Sequence, residues 1–513
     1  MSELEAFFAP FRDEIVGIEH TFRSPYGEQR IVYADWTASG RLYGPIERRL
    51  LETFGPAVGN THTETNFTGT RMTHAYHLAH GILKHHVNAG PDDVIITAGS
   101  GMTTVVNMLQ RMLGLRLPEQ LAHCCAIPAE ARPLVVVTYM EHHSNHTSWL
   151  ETIADVEVLP PDERGLVAPE QLDDVLERYR DRPIKIGAFS ACSNVTGICP
   201  PYYDLARTMH RHGGLCFVDF AASAPYVDID MHPADDPLAR LDAVYFSPHK
   251  FLGGPGTPGV LVFDRQLYGN RVPDRPGGGT VKWTNPWREH SFVDDIEERE
   301  DGGTPGFLQT IKAALAVRLK ETMGSQRMLA REHELLPPLL DGLRGIPGLH
   351  ILADHLEDRL AIVSFYVDGL HYNLLVKLLN DRFGVQVRGG CSCAGTYGHY
   401  LMHVDSSRSR RITELIDQGD LSEKPGWVRL SLHPSTRTDE VSYLVEAVAE
   451  CVRHADAWGR DYAYSVGTNV WRHRRQPDPG PEALRPWFDM RPTAAEPTSP
   501  AVTVRPVPTA EFM

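Results

Sequence analysis

Short, continuous apolar runs alternate with amphipathic stretches along the first two thirds of the chain. The apolar runs lie at residues 94–98, 134–138, 184–189, 215–218, 243–246 and 259–263. Such runs are typical of strands that are buried on both faces of a sheet. Amphipathic stretches with helical spacing separate them, for example at residues 169–180 and 202–212. The alternation predicts an α/β fold built on a largely parallel sheet.

After about residue 330, the predicted strands and helices are spaced farther apart along the chain. We predict strands at 360–367 and 426–432, and helices at 371–383 and 439–458, which together indicate a smaller α+β domain. The dipeptide Thr304-Pro305 predicts the start of a helix that ends near residue 323.

These patterns predict four parts of the chain. They are an N-terminal segment at 1–39 that packs on the small domain, a large domain at 40–325, a small domain at 326–466, and a Pro-rich, polar and largely disordered tail at 467–513.

Composition narrows the classes of function. The chain has 513 residues, 42% hydrophobic and 23% charged, with a net charge of −16. An acidic balance of this size disfavours binding to nucleic acid and to anionic membranes. The sequence has no run of 18 apolar residues, and its eight cysteines are too few for a disulfide scaffold in a chain of this length. We therefore expect a cytoplasmic enzyme with reduced thiols and no structural metal.

A lysine stands between two of the predicted buried strands. Lys250 follows the run at 243–246 and precedes a turn of small residues at 251–258. A lysine in such a place is desolvated and becomes nucleophilic. Asp219 ends another apolar run about 30 residues upstream. Pyridoxal phosphate (PLP) needs both groups, a lysine to bind its aldehyde and a carboxylate to keep its pyridine nitrogen protonated.

The residues around this lysine carry a family resemblance. Ser247-Pro-His249-Lys250 with its Gly-rich turn, preceded by Val218-Asp219-Phe-Ala, resembles the class V aminotransferase family, most closely the cysteine desulfurases and selenocysteine lyases. The resemblance extends from about residue 33 to about residue 448. It implies a fold-type I PLP enzyme, with a mostly parallel seven-stranded sheet in the large domain and a smaller α+β C-terminal domain.

A phosphate site is predicted after the first buried strand. The Gly-Ser-Gly turn at 99–101 opens an apolar helix, and backbone amides at a helix N-terminus bind anions. The amides and hydroxyl expected at the phosphate belong to Gly101, Met102 and Thr103. By resemblance, Ser247 and His249 also hold the phosphate. The resemblance further implies that Thr304 reaches the phosphate of a neighbouring subunit, and hence that the protein is a homodimer.

Two more segments resemble the parts of the family that bind the PLP ring. The segment Met140-Glu-His142-His resembles one in which the first His stacks on the ring, so His142 is assigned this catalytic role. Asn194 falls where the family places an Asn near the ring hydroxyl and the substrate carboxylate. Two positions depart from the pattern: Ala222 replaces a Gln or His that contacts the ring hydroxyl, and Trp36 puts a bulky ring beside the expected substrate entrance.

The type of reaction depends on one cysteine and two arginines. Arg388-Gly-Gly-Cys391-Ser-Cys393 resembles the desulfurase segment with the nucleophilic cysteine, which falls on Cys393. A buried structural role, a metal site or a strained Cys-x-Cys disulfide are the alternatives for these thiols. Arg429 matches the arginine for the substrate carboxylate, a group that a guanidinium binds through two parallel hydrogen bonds. The other expected substrate-binding residues are Arg388, Asn194 and Thr37.

The sequence therefore predicts a PLP-dependent cysteine desulfurase. It would take L-cysteine to alanine, leave a persulfide on Cys393, and pass the sulfur to an acceptor protein. One alternative is a PLP-dependent C–S lyase, aminotransferase or epimerase in which Cys393 is a bystander, and another is a non-catalytic PLP-binding scaffold. An insertion at about 399–424, predicted as a loop, leaves the substrate open between these.

Overall fold

The structure is a computed structural model, and it describes residues 2–476 and 480–490. The strands are β1 (Thr21–Ser24), β2 (Gly27–Arg30), β3 (Val32–Tyr33), β4 (Asp93–Ala98), β5 (Leu134–Thr138), β6 (Asp155–Leu159), β7 (Lys185–Ser190), β8 (Leu215–Asp219), β9 (Ala243–Phe246), β10 (Gly259–Asp264), β11 (Val281–Thr284), β12 (His290–Phe292), β13 (Leu349–Ile351), β14 (Ile362–Val367), β15 (Val385–Gln386), β16 (Arg388–Gly390), β17 (Trp427–Ser431), β18 (Tyr462–Ser465) and β19 (Val470–His473). The helices are α1 (Glu3–Asp13), α2 (Gly44–Arg49), α3 (Phe67–His86), α4 (Met102–Met112), α5 (His143–Leu150), α6 (Pro169–Arg178), α7 (Tyr202–Arg211), α8 (Ile296–Glu300), α9 (Phe307–Met323), α10 (Ser325–Arg344), α11 (Tyr372–Phe383), α12 (Gly395–Leu401), α13 (Ser406–Asp417), α14 (Thr438–Arg453) and α15 (Ala455–Gly459).

A seven-stranded sheet forms the larger core. Its order is β4-β10-β9-β8-β7-β5-β6, and only β10 runs antiparallel to its neighbours. Every residue of β4, β5 and β9 is buried, because apolar clusters cover both faces of the sheet. The predicted α/β fold with a mostly parallel sheet is confirmed. The carboxyl ends of β7, β8 and β9 meet at one edge, which is where ligands bind in sheets of this kind.

A second, four-stranded antiparallel sheet follows in the chain, in the order β13-β14-β17-β16. Helices α10, α11 and α14 pack an apolar cluster against it. The N-terminal residues contact this part of the molecule: β3 pairs with β15, and the buried Arg12 forms two hydrogen bonds with Glu440 at 2.6 and 2.7 Å. The domain boundaries at residues 39, 325 and 466 stay predictions.

The structure corrects four sequence-based expectations about elements. Strand β19 lies inside the predicted disordered tail, because Trp471 packs on Tyr464 and lets β18 and β19 pair. Residues 477–479 and 491–513 of that tail lie outside the described part. The predicted helix at 439–458 is two helices, α14 and α15, which His454 separates. The helix predicted to start at Pro305 starts at Phe307.

The fourth correction concerns the insertion at 399–424, which is mostly helical. Helix α12 ends within it, and α13 occupies its centre. Asp405 caps α13, since its carboxylate accepts hydrogen bonds from the amides of Ser407 and Arg408. Ile412 of this helix is buried. An N-cap residue followed by apolar residues on one helical face is a signal for a helix. The prediction of a loop did not take this signal into account.

Across the described residues, we find no helix that combines the length and apolar character needed to span a bilayer.

Candidate active site

A cleft of about 330 Å³ lies at the edge where the carboxyl ends of β7, β8 and β9 meet. Thirteen of the fourteen residues predicted for the site line it. They are Thr37, Gly101, Met102, Thr103, His142, Asn194, Asp219, Ser247, His249, Lys250, Arg388, Cys393 and Arg429. The fourteenth, Thr304, is exposed and lies outside this lining. Three larger hollows among the described residues, of about 670, 780 and 600 Å³, contain none of these side chains.

The turn before α4 forms an anion cradle. Gly99 has a left-handed φ of +60°, and a Cβ there would lie 2.2 Å from Thr104 Oγ1, so the turn requires glycine. The amide of Met102 donates to Ser247 Oγ at 2.9 Å. A Cβ on Gly101 would come within 3.2 Å of that same oxygen. Burial lowers the pKa of His249 to about 4, so its imidazole is neutral in this cradle.

Lys250 and Asp219 have shifted protonation equilibria for the same reason. Burial lowers the pKa of Lys250 to about 8, and the negative charge of Asp219 partly offsets this effect. Burial raises the pKa of Asp219 to about 7, against the hydrogen bond that its carboxylate accepts from the Ala221 amide at 2.8 Å. A lysine whose amine is neutral in about a tenth of molecules at pH 7 and about half at pH 8 is suited to nucleophilic and base chemistry.

His142 is held over the cleft as a neutral ring. Its Nδ1 accepts a hydrogen bond from the Ser144 amide at 3.1 Å, which leaves the proton on Nε2. Burial lowers the pKa of His142 to about 3.

The residue before it, Glu141, is a support that the sequence reasoning missed. Its carboxylate is buried and accepts hydrogen bonds from Thr138, Asn145 and Ser190, which joins the ends of β5 and β7 to α5. The feature of the sequence that could have revealed it is the acidic residue itself, which stands inside the motif already assigned through His142.

Two arginines share one carboxylate in the cleft. Arg429 Nη2 donates to Asp35 Oδ1 at 2.9 Å, and Arg388 Nε donates to Asp35 Oδ2 at 3.2 Å. Arg429 Nη1 also donates to the carbonyl of Asn194 at 3.1 Å. Among the described residues, two buried polar atoms of the lining have no partner, Arg429 Nε and Thr37 Oγ1. Both belong to residues of the lining, of which the guanidinium of Arg429 is the group suited to a carboxylate. Asp35 was not among the predicted residues.

The loop with Cys393 has an unusual backbone. Ser392 and Cys393 have left-handed φ values of +52° and +56°, which is uncommon outside glycine and costs energy that the surroundings must offset. Two hydrogen bonds of 2.7 Å hold the loop, from Asn194 Nδ2 to the carbonyl of Ser392 and from the His143 amide to the carbonyl of Cys393. Cys393 is exposed, Cys391 is half-buried, and both are free thiols.

The two departures from the family pattern have different outcomes. Ala222 lines the cleft, as expected for its position. Trp36 does not stand at the substrate entrance. It is buried and stacks on His433, with ring centroids 4.4 Å apart. The expectation was wrong because the ring points into the core. The size of a side chain does not reveal the direction in which it points.

The model of the family described as aminotransferase class-V matches residues 32–444, which is most of the chain. The chain belongs to the class V aminotransferase family. This confirms the resemblance found in the sequence.

Relatives within the family have names that bear on the reaction. A protein named probable cysteine desulfurase 2 from Mycobacterium leprae is 29% identical over 400 residues, which are 77% of this chain and 90% of that protein. A probable cysteine desulfurase from Halobacterium salinarum is 28% identical over 432 residues, covering 83% and 93%. A solved cysteine desulfurase from Escherichia coli superposes with a TM-score of 0.67 at 22% identity, covering 87% of this chain and 98% of that one. At that identity the structural likeness shows the fold.

Class V aminotransferases are PLP-dependent, and the residues of the cleft fit that cofactor. The anion cradle suits its phosphate, and Asp219 is a buried carboxylate for the pyridine nitrogen. His142 offers a neutral ring that can stack, and Lys250 offers an amine of lowered pKa for the aldehyde. The donor set matches each chemical part of the cofactor.

Proposed function

We propose that this class V aminotransferase is a PLP-dependent cysteine desulfurase, which converts L-cysteine to alanine and holds the sulfur as a persulfide on Cys393. The observation that carries the proposal is the exposed thiol of Cys393 in the same cleft as Lys250 and Arg429. The left-handed backbone at Cys393 supports it, since strain of this kind is concentrated at functional sites. The names of the relatives point to the same reaction.

Four groups would hold the cofactor. Lys250 would bind its aldehyde, Asp219 its pyridine nitrogen, His142 the face of its ring, and the cradle around Ser247 its phosphate. When bound, PLP supplies an electron sink for the bonds at the α-carbon of the substrate.

The residues of the chain have distinct tasks in the reaction. The substrate carboxylate binds the guanidinium of Arg429, with Thr37 beside it in the lining, which orients the amino acid. Lys250 Nζ, with a pKa of about 8, takes the α-proton. Cys393 Sγ, as thiolate, attacks the substrate sulfur. A sulfur–sulfur bond forms while the carbon–sulfur bond breaks, and its electron pair stays with the carbon, which is protonated and leaves as alanine.

The test compares two cysteines two residues apart. In Cys393→Ser, alanine formation from L-cysteine should fall by about a thousandfold or more, because a hydroxyl cannot form the persulfide. PLP content, read from absorbance, should stay that of the wild type. Cys391→Ser is the matched control and should keep most of the activity. Full alanine formation by Cys393→Ser would contradict the proposal and favour a lyase, aminotransferase or epimerase.

We further propose a cytoplasmic homodimer in which Thr304 serves the phosphate of the partner subunit and an acceptor protein collects the sulfur. Large apolar side chains on and near α3 support the dimer: Leu51, Phe67 and Leu78 are 74%, 65% and 69% exposed. The exposure of Thr304 agrees with a role outside its own cleft. The exposed Cys393 supports transfer of sulfur to another protein.

A further inference from the structure

Two cysteines that the proposed reaction does not use stand at the open end of one turn. Cys192 and Cys199 flank this turn, in which the amide of Ser193 donates a hydrogen bond to the carbonyl of Ile198 at 2.9 Å. Cys192 directly precedes the donor, and Cys199 directly follows the acceptor. A chain reversal closed in this way brings its flanking residues to about the 4.4–6.8 Å between Cα atoms that a disulfide spans.

The two thiols meet at one oxygen atom. The carbonyl of Gly197 accepts a hydrogen bond from Cys192 Sγ at 3.3 Å and another from Cys199 Sγ at 3.7 Å. The hydrogen bond with the Cys199 thiol, together with burial, raises the pKa of the Cys192 thiol. The turn is fixed, because the amide of Leu360 donates to the same Gly197 carbonyl at 2.9 Å. The thiols are therefore held as neighbours.

The pair spans the wall between the active-site cleft and the solvent. Cys192 is 3% exposed and lines the cleft that contains Lys250. Cys199 is exposed and lines the hollow of about 670 Å³, which contains none of the predicted site residues. Because a thiol has to be accessible to react with a reagent in solvent, Cys199 is the thiol that reacts first. Cys192 is then in place to react with the sulfur of Cys199.

We propose that Cys192 and Cys199 are a redox-active dithiol, distinct from Cys393, which disulfides of low molecular weight convert reversibly to a disulfide. The thiolate of Cys199 attacks one sulfur of the external disulfide, whose sulfur–sulfur bond breaks and releases a first thiolate. The sulfur of Cys192 then attacks Cys199 Sγ, and a second thiolate leaves. The two cysteines are oxidised, the external disulfide is reduced, and the two cysteine protons end on the two thiols that are released.

Oxidation would change the wall of the cleft as well as the turn. The two hydrogen bonds to the Gly197 carbonyl are lost with the thiol hydrogens. The sulfur of Cys192 is drawn toward Cys199, because bonded sulfur atoms are about 2.05 Å apart. The loop that the new bond closes contains Asn194, whose side chain binds the carbonyl of Ser392 at 2.7 Å. The disulfide therefore forms within the segment that anchors the loop of the proposed nucleophile.

The experiment maps disulfides in the PLP-loaded Cys393→Ser variant, which lacks the exposed thiol of the cleft. The folded protein is incubated with oxidised glutathione, quenched with acid, unfolded, alkylated with iodoacetamide and digested with trypsin without reduction. Both cysteines of the pair fall in one tryptic peptide, which begins after Lys185 and ends at Arg207. We expect this peptide to be lighter by two hydrogen atoms and free of alkyl groups in most molecules. Treatment with dithiothreitol should restore two thiols that are alkylated.

Two further substitutions in this parent test the order of attack. In Cys192→Ser, Cys199 should keep glutathione as a mixed disulfide, because the thiol that resolves it is absent. In Cys199→Ser, modification of Cys192 should be at least about a hundredfold slower than disulfide formation in the parent, because that thiol is buried. Cys124→Ser is the control, since it removes an exposed thiol outside the 670 Å³ hollow. It should leave the yield of the disulfide unchanged.

Three results would overturn the proposal. They are a peptide that carries two alkyl groups after oxidation, a disulfide that forms only after urea has unfolded the protein, and modification in Cys199→Ser as fast as disulfide formation in the parent. Cys199 is exposed, so its serine variant is expected to fold even where Cys192→Ser does not.

The inference does not rest on the proposed function, because the mapping requires no turnover. If the disulfide forms as expected while the wild type makes no alanine from L-cysteine, the dithiol stands and the proposed reaction fails. If the wild type makes alanine while both thiols stay open to alkylation after oxidation, the reaction stands and the role of the pair is wrong.

Discussion

Replacement of Glu141 by Gln tests how the floor of the cleft is held together. Glu141 is 1% exposed and joins the ends of two strands to α5. Its Oε1 accepts hydrogen bonds from the amide of Ser190 at 3.0 Å and the hydroxyl of Thr138 at 2.7 Å. Its Oε2 accepts from Asn145 Nδ2 at 2.7 Å and from the hydroxyl of Ser190 at 2.6 Å. Gln has the same shape, so the substitution changes chemistry without opening a cavity.

The amide of Gln has no suitable orientation at this position. Asn145 is fixed with its Nδ2 toward residue 141, because its Oδ1 accepts from the hydroxyl of Tyr245 at 2.6 Å. On the other side stands the backbone N–H of Ser190, which can only donate. Either orientation therefore sets the new NH₂ against a donor. One charge-assisted hydrogen bond, about 1.5–3 kcal/mol, is lost, and a buried donor is left unpaired at about 1–3 kcal/mol.

Part of that cost is recovered, because burial already raises the pKa of Glu141 and so opposes its charge. We expect Glu141→Gln to lower the free energy of unfolding by about 2–4 kcal/mol. Urea denaturation, followed by tryptophan fluorescence, measures the change from the midpoint and slope. Glu357→Gln is the control, since its carboxylate is 70% exposed in an ion pair with Arg344. A loss no larger than that of the control would refute the reasoning.

Two other predictions concern the cofactor. The rate of PLP addition to the apoprotein should increase about tenfold per pH unit from about pH 6 to 7.5 and level off above the Lys250 pKa of about 8, because only the neutral amine reacts. Stopped-flow absorbance measures this rate, and a rate independent of pH in that range would contradict the assignment of Lys250. In light scattering, the protein should have about twice the chain mass of 57.3 kDa, and Thr304→Ala should lose PLP faster on dilution than the wild type. A fully active monomer would exclude the shared site.

The sequence predicts best those strands in which every residue is buried. The predicted strands at 134–138 and 243–246 match β5 and β9 to the residue, because every position in them is buried. β6 was missed. It lies at the edge of the sheet, and four of its five residues are only partly buried. Strand β19 was missed because its stability comes from contacts between aromatic rings distant in sequence, such as Trp471 with His371.

The residues of the site also form two groups, those that a local sequence pattern places and those that it does not. Residues at the ends of strands, such as Asp219 and Ser247, are placed by local pattern, since the carboxyl ends of neighbouring parallel strands share one edge. The left-handed conformation of Cys393 was not predictable, because Asn194 and His143, both distant in sequence, hold its loop.

The charge of the carboxylate subsite is the clearest case of what local pattern omits. Arg388 and Arg429 each follow from a motif, and read alone they indicate a doubly positive subsite. Asp35 lies 353 and 394 residues away from them along the chain, and only folding brings it between them. Its carboxylate offsets one of the two positive charges of the arginines. A prediction of this site from sequence therefore has to consider Asp35, Arg388 and Arg429 together, because none of the three alone determines the net charge of the subsite.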